Sequence, residues 1–323
     1  MPPLRFAFVM DPIERILPDK DTTFMFLLEA GRRGHESYVM GLDDLFLDRT
    51  VPHARARRAA VRRPTADDAS HHHLYEERVE RLDWFDAVFM RKDPPFDLSF
   101  FFATHVLSLI DPTRTVVVNS PRGLRDANEK LYALYFPEVI PDSLVTADMA
   151  RLKAFMVELG GEMIVKPLDG AGGSGVFHLR AGDRNLNAIL EAATLEGRRS
   201  IMAQRYLPEI RQGDKRIIVL DGEPLGAVLR VPREDETRGN IHVGGVTVKA
   251  PLTARDREIC ARLAPRLRED GLWFVGLDVI GDWLTEVNVT SPTGIQEINA
   301  LDGVKLEAKV IDFVEKAVSQ LDR

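Results

Sequence analysis

Along the first third of the chain apolar residues fall in short unbroken runs: LRFAFVM, ESYVMGL, FDAVFM and TVVVN. Between them lie segments such as TTFMFLLEAGRRG and LSFFFATHVLSLI, whose apolar positions suit helices. Continuous apolar runs suit strands covered on both faces, so the alternation predicts a βαβ start with parallel pairing. Asp21 or Thr22 is placed to cap the first helix and Gly34 to stop it. Ser120 and Pro121 form a cap and first-turn pair, and the chain is expected to leave its first domain near residue 123. The next part reads as strand SLVT, helix DMARLKAFMVELGG, strand EMIVKP, a glycine-rich loop, strand GVFHLR and the helix of NLNAILEAATLEG. From residue 201 strands dominate, in IMAQRYL, KRIIVL, LGAVLRV and WFVGLDVI, with tight turns at Asp221 and Gly281. The expectation is an α/β fold, α+β in its later parts, divided into residues 1–123, 124–200 and 201–323. No internal repeat is visible.

Length and composition narrow the class. The 323 residues suit two or three domains, and 45% hydrophobic with 29% charged residues is a globular balance. Met1 to Met10 is a short run carrying Arg5 and ending at Asp11, so it reads as a strand and not as a signal peptide. No apolar stretch is long enough to span a bilayer. The single Cys260 cannot close an internal disulfide, which points to the cytoplasm. A net charge of −7 argues against nucleic acid as a partner. Two local features stand out, the five arginines between Arg55 and Arg63, read as a solvated arm, and His71 to His73, whose consecutive positions do not share a face for metal.

The turn after the first strand lacks the G-x-G-x-x-G of a dinucleotide fold. A different phosphate-binding device appears at KPLDGAGGSG, Lys166 to Gly175, where glycines let a ligand approach the backbone closely. This loop lies between two strands. That separates it from a Walker loop, which needs G-K-[ST] and a following helix, and leaves a flap hinged between paired strands. Lys166 ends an apolar strand, where a cation is costly to bury unless an anion meets it. Lys130, read as part of a helix, is a second cation for the same region.

GLDVIGDWLTEVNVTSP supplies hard oxygen donors. Glu286 and Asn288 are two apart on a strand and share a face, which suits Mg²⁺ held together with nucleotide phosphates. A strict two-residue turn at Gly281 and Asp282 would set Asp278 opposite Thr285, facing away from Glu286. A bulge or a three-residue connection is therefore predicted. Arg216 and Arg230 are placed to neutralise charge on a transferring phosphoryl group. Pro232 to Gly245, long and polar, suits a mobile lid over substrate. No kinase triplets are present. The order of these parts resembles the ATP-grasp fold.

At MDPI, RKDPPFD, LRDANEKL, KPLDGAGGSGVF, GDKRI, ETRGN and FVGLDVIGDWLTEVNVTSPTGIQEI the chain resembles bacterial glutathione synthetase, from Met10 to Ile298. The resemblance implies an ATP-dependent carbon–nitrogen ligase that joins γ-glutamylcysteine to glycine through an acyl phosphate. It further implies ATP as nucleotide, Mg²⁺ or Mn²⁺ as metal, and a homotetramer. By motif, Lys130 and Lys166 would touch phosphates under a flap containing Gly170, Gly172 and Gly173. Gln204, Arg205, Tyr206 and Leu207 would hold adenine and Asp214 the ribose. Arg216 and Arg230 would bind the transferring phosphate, and Asp278, Glu286 and Asn288 the metal. Arg91 and Lys92 are assigned to the peptide substrate, and Ser291, Pro292, Thr293 and Gly294 to glycine. Between Arg49 and Glu80 no motif is recognised, and the roles of the arginines and histidines there stay open. Two other readings remain, another ATP-grasp ligase of the D-alanine or peptide-tail kind, and a nucleotide-sensing protein without turnover.

Overall fold

In the computed structural model, which describes residues 2–170, 172–233 and 245–321, β1 (Arg5–Val9) pairs in parallel with β2 (Glu36–Met40). The crossover between them is α1 (Thr22–Arg32), started by the Asp21 carboxylate, which accepts from the Phe24 amide at 2.6 Å. Gly34, at φ +84°, turns the chain out of the helix. Then follow β3 (Leu45–Asp48), β4 (Val51–Val61), β5 (His72–Arg81), β6 (Ala87–Met90), α2 (Leu98–Leu107) and β7 (Val116–Val118). Together they form a seven-stranded sheet in the order β3-β4-β2-β1-β6-β7, with β5 also paired to β4.

The arginine-rich stretch is therefore not a solvated arm. It is β4, with Ala54 and Ala56 buried and Arg55 and Arg57 exposed. Alanine carries so little apolar surface that its two-residue alternation is overshadowed by the charge. His71 lies just before β5, with Nε2 2.7 Å from the Ile13 carbonyl oxygen.

A short α3 (Pro121–Asp126), capped by Ser120, leads into the second sheet. This contains β8 (Ser143–Thr146), β9 (Glu162–Pro167), β10 (Phe177–Arg180) and β11 (Ile201–Arg205), in the order β10-β9-β11-β8, with α4 (Met149–Glu158) and α5 (Leu186–Thr194). The third sheet is antiparallel: β12 (Asp214–Leu220), β13 (Glu223–Val231), β14 (Val246–Lys249), β15 (Phe274–Ile280) and β16 (Trp283–Asn288), in the order β14-β13-β12-β15-β16. α6 (Ala254–Glu269) precedes β15, and α7 (Ile295–Asp302) and α8 (Leu306–Ser319) follow β16. The expected lid, Pro232 to Gly245, lies apart from its ends outside the described residues.

Alternate residues of β1 face opposite ways, and each face has its own apolar cluster. Val9 shares one cluster with Ile217, Leu263 and Val287; Phe8 shares the other with Phe274 and Val310. Both clusters thus run from the first sheet into the third. The second sheet closes over a smaller cluster of its own, including Leu152, Val165, Leu190 and Ala203.

Candidate active site

The β15–β16 hairpin sets the chemistry. Its turn has two residues, since Ile280 pairs with Trp283 and Val279 with Leu284, but the register then shifts and Asp278 pairs with Glu286. Thr285 is the extra residue of the predicted bulge, and its hydroxyl donates to the Asp278 carbonyl at 3.1 Å. The bulge turns two carboxylates to one face.

Lys166 reaches this face from β9. Its Nζ is 3.2 Å from the Thr285 carbonyl and 3.4 Å from Glu286 Oε1. Lys130 arrives from a turn after α3, not from a helix as the sequence suggested. Asn128 bends the chain there, its Oδ1 accepting from the Lys130 and Leu131 amides. The Lys130 Nζ lies 3.7 Å from Glu286 Oε1 and donates to the Gly170 carbonyl. Two ammonium groups thus share one carboxylate, and the surplus positive charge suits a polyphosphate. Burial pulls the Lys166 pKa below its ordinary value, against the attraction of Glu286.

Beneath the carboxylates lies a buried row of charges. Arg216 grips Asp278 with Nε and Nη2, at 2.5 and 3.1 Å, and Arg230 Nη2 lies 3.0 Å from Asp278 and also bonds Asp214. Burial disfavours the Asp278 anion, but the two guanidiniums outweigh it and hold its carboxyl below the usual range. Asp214 has less help, so burial raises its carboxyl above the usual range. Its Oδ1 is buried without a hydrogen-bond partner, an acceptor in place for a ligand hydroxyl.

The carboxylates and lysines line one cavity of about 170 Å³, whereas Arg216 and Arg230 are not part of its lining and meet it only through Asp278 and Asp214. Lys130, Lys166, Gly170, Gly172, Gly173, Gln204, Arg205, Tyr206, Leu207, Asp214, Asp278 and Glu286 all border it. Its glycine wall is shaped for close approach. A Cβ on Gly170 would sit 2.7 Å from Pro167 Cγ, while Gly172, at φ +63°, faces open space. The sequence reading missed Ile164, Val176, His178, Ile210, Ile280 and Thr285, which also line it. Ile164 lies two residues before Lys166 and Ile280 two after Asp278, so strand alternation was the available signal. His178 had none, because its ring stacks on Tyr206 at 3.9 Å across two strands.

The remaining candidates stand apart from that cavity. Asn288 follows Glu286 on the same face, with Nδ2 donating to the Gly276 carbonyl at 3.3 Å. Arg91 is buried under the Ser291–Gly294 loop and donates to the Thr23 hydroxyl and the Pro292 carbonyl. Burial lowers its pKa to about 10. Lys92 is paired with Asp11 at 2.9 Å. The Thr293 carbonyl accepts from Arg216 at 3.2 Å, which ties the loop to the charge row.

The donor set fits a metal-bound nucleotide: two carboxylates and an amide on one strand pair, two lysines, and a flap without bulky side chains. Among the described residues no group of three His, Cys, Asp or Glu side chains could hold a metal by itself. A metal here would therefore share its coordination with phosphate oxygens. No described helix is long and apolar enough to cross a membrane.

A flap between paired strands, facing a carboxylate hairpin on a second antiparallel sheet, is the architecture of the ATP-grasp ligases. Solved structures agree. D-cycloserine synthetase DcsG superposes with a TM-score of 0.67 over 97% of this chain and 99% of its own at 17% identity. The ATP-grasp ligase PsnB, complexed with a minimal precursor, Mg and ADP, does so at 0.62 over 98% of each chain at 16% identity. Residues 4–125 match the N-terminal domain of prokaryotic glutathione synthetase, and residues 129–303 match its ATP-grasp domain. Proteins named glutathione synthetase from Synechococcus elongatus and Vibrio cholerae are 47% and 44% identical to it, over 98% and 97% of this chain and 100% and 98% of theirs. The chain belongs to the prokaryotic glutathione synthetase family.

Proposed function

We propose that the chain is a glutathione synthetase, joining the cysteinyl carboxylate of γ-glutamylcysteine to the amine of glycine with conversion of ATP to ADP and phosphate. The observation that carries this is the meeting of Lys130, Lys166, the glycine flap, Asp278 and Glu286 around one cavity, in a chain matched nearly end to end by glutathione synthetases. A carboxylate resists amines because it is anionic and its leaving group is poor. Phosphorylation by ATP makes it an acyl phosphate, which an amine can attack.

The chain's own groups then divide the work. Lys130 and Lys166 hold phosphate oxygens beneath the flap amides, and Asp214 Oδ1 accepts from a ribose hydroxyl. Gln204 to Leu207 border the base. Asp278, Glu286 and Asn288 would hold Mg²⁺, or Mn²⁺ in its place, which supplies charge neutralisation at the phosphates. Arg216 stabilises negative charge on the transferring phosphoryl group, kept in position by Asp278, while Arg230 steadies Asp278 from behind. Arg91 orients the 291–294 loop, where the amino-acid acceptor is assigned. A tetrameric assembly and a cytoplasmic location complete this reading.

The test is release of ADP and phosphate with γ-glutamylcysteine and glycine, each omitted in turn and glycine replaced by D-alanine. Release should require both natural substrates. Release with D-alanine alone would assign another ATP-grasp ligase, and nucleotide binding without any release would mean a sensor.

A further inference from the structure

A second cavity, of about 250 Å³, lies on the other side of the Asn128–Lys130 turn and meets the first at Gly170. Lys130 faces the nucleotide side, and its neighbour Glu129 faces the second cavity. The walls come from three parts of the chain: Phe96 from RKDPPFD, Leu124 and Arg125 from α3, Asp169 from the flap, and Thr290 just past β16.

The charges on these walls are not balanced internally. Glu129 Oε1 accepts from the Thr290 hydroxyl at 3.0 Å and the Val289 amide at 3.3 Å. Its Oε2 has no hydrogen-bond partner, and no cation forms an ion pair with it, among the described residues. The neighbouring Lys130 points its ammonium to Glu286 instead. Arg125 lies on another wall. Its Nη1 donates to the Thr104 carbonyl and the Ser108 hydroxyl at 3.0 and 2.8 Å, and no described carboxylate pairs with it. Glu129 and Arg125 are both half-buried, and neither has an opposite charge paired with it among the described residues, so a ligand carrying both charges can complete the two at once. Phe96 and Leu124 offer apolar contact between them.

We propose that this second cavity binds the head group of an α-amino acid, with its ammonium on Glu129 and its carboxylate on Arg125. The inference rests on the ligase reading above and deepens it, because both amine-bearing substrates carry this zwitterion: the glutamyl end of γ-glutamylcysteine and glycine itself. The shared edge at Gly170 puts the bound molecule next to the phosphate flap.

The experiment uses E129Q in the full chain. Glutamine keeps the acceptor for Val289 and Thr290 and removes only the charge. The KM for the substrate bound here should rise about 10- to 100-fold, with kcat and the KM for ATP changed less than about threefold. A rise for γ-glutamylcysteine places the glutamyl head in the cavity, and a rise for glycine places glycine there. In the dipeptide case, N-glutarylcysteine, which lacks the α-amino group, should be discriminated against by the wild type but not by E129Q. R125Q should raise the same KM as E129Q. Unchanged KM values for both amino substrates, or a loss confined to ATP, overturns the proposal. If the wild type turns over neither substrate, the ligase reading fails separately. Calorimetric titration of wild type and E129Q with γ-glutamylcysteine and with glycine then decides the site, and equal binding by both proteins rejects it.

Discussion

Arg216 and Lys166 carry like charge at similar depth, but their settings differ. Arg216 is locked bidentately to Asp278, while Lys166 has Glu286 and one carbonyl at looser distances. A locked guanidinium suits charge that develops late. R216A is therefore expected to lower kcat about 10²- to 10³-fold while the dissociation constant for ATP moves less than about fivefold. Equal losses in turnover and in binding, measured by kinetics and calorimetry, would remove that role. Cys260 makes a contrasting prediction. Burial, reinforced by Asp256, pushes its thiol up to about 12, so iodoacetamide at pH 8 should leave the folded protein unmodified and alkylate it in denaturant. At this scale the sequence was legible wherever a residue's chemistry was unusual for its place, as with a lysine ending an apolar strand. Glu129, beside Lys130 in the same motif, was not. Its importance comes from the lack of a paired cation among the described residues and from which way the turn points it, and neither is encoded in residue type.

Two elements translate such residues into geometry. The β15–β16 bulge was predictable because the spacing of Asp278 and Glu286 conflicted with the turn length, and Thr285 resolves that conflict. The flap was predictable from its glycines and flanking strands. G170A should raise the KM for ATP several-fold, since its methyl would press on Pro167 and on the Ser174 carbonyl, and G172A should have a smaller effect. Phosphate release as a function of ATP concentration distinguishes the two. β4 was illegible as a strand because its alternating alanines contribute too little hydrophobicity to outweigh the arginines in and just after it. Elsewhere α1 and α8 are joined through Glu29, which Arg32 holds bidentately and Arg33 bonds at 2.7 Å while also reaching Asp312 and Glu315. The Arg32 hydrogen bond, with help from Arg33, holds the Glu29 carboxyl at about 2, below the ordinary 4.5. Its stabilisation is complete above the unfolded-state value and disappears as pH falls through 2. With Arg32 63% exposed and screened by solvent, E29Q should cost roughly 1–2 kcal/mol at pH 7, and the Tm gap to wild type should close between pH 4.5 and 2.

For the whole molecule, the nucleotide cavity is built by two sheets, with β9 and the flap on one side and β12, β15 and β16 on the other. Mg²⁺ with ADP at about 100 times its dissociation constant should add about 2.7 kcal/mol of stability, read as a rise in Tm that E286Q reduces. The alternation of strands and helices announced the α/β start, but nothing in sequence order announced that the first and third sheets, separated by the whole of the second, would share their apolar interior. That sharing makes the chain mechanically a pair of bodies. One contains both termini of the described chain, and the other is the β8–β11 unit, whose own small interior lets it yield or swing while its larger companion stays folded. Amides of β9 and β11 should then exchange with deuterium sooner than those of β1 and β15, and bound nucleotide should slow the former by clasping the smaller body against the larger.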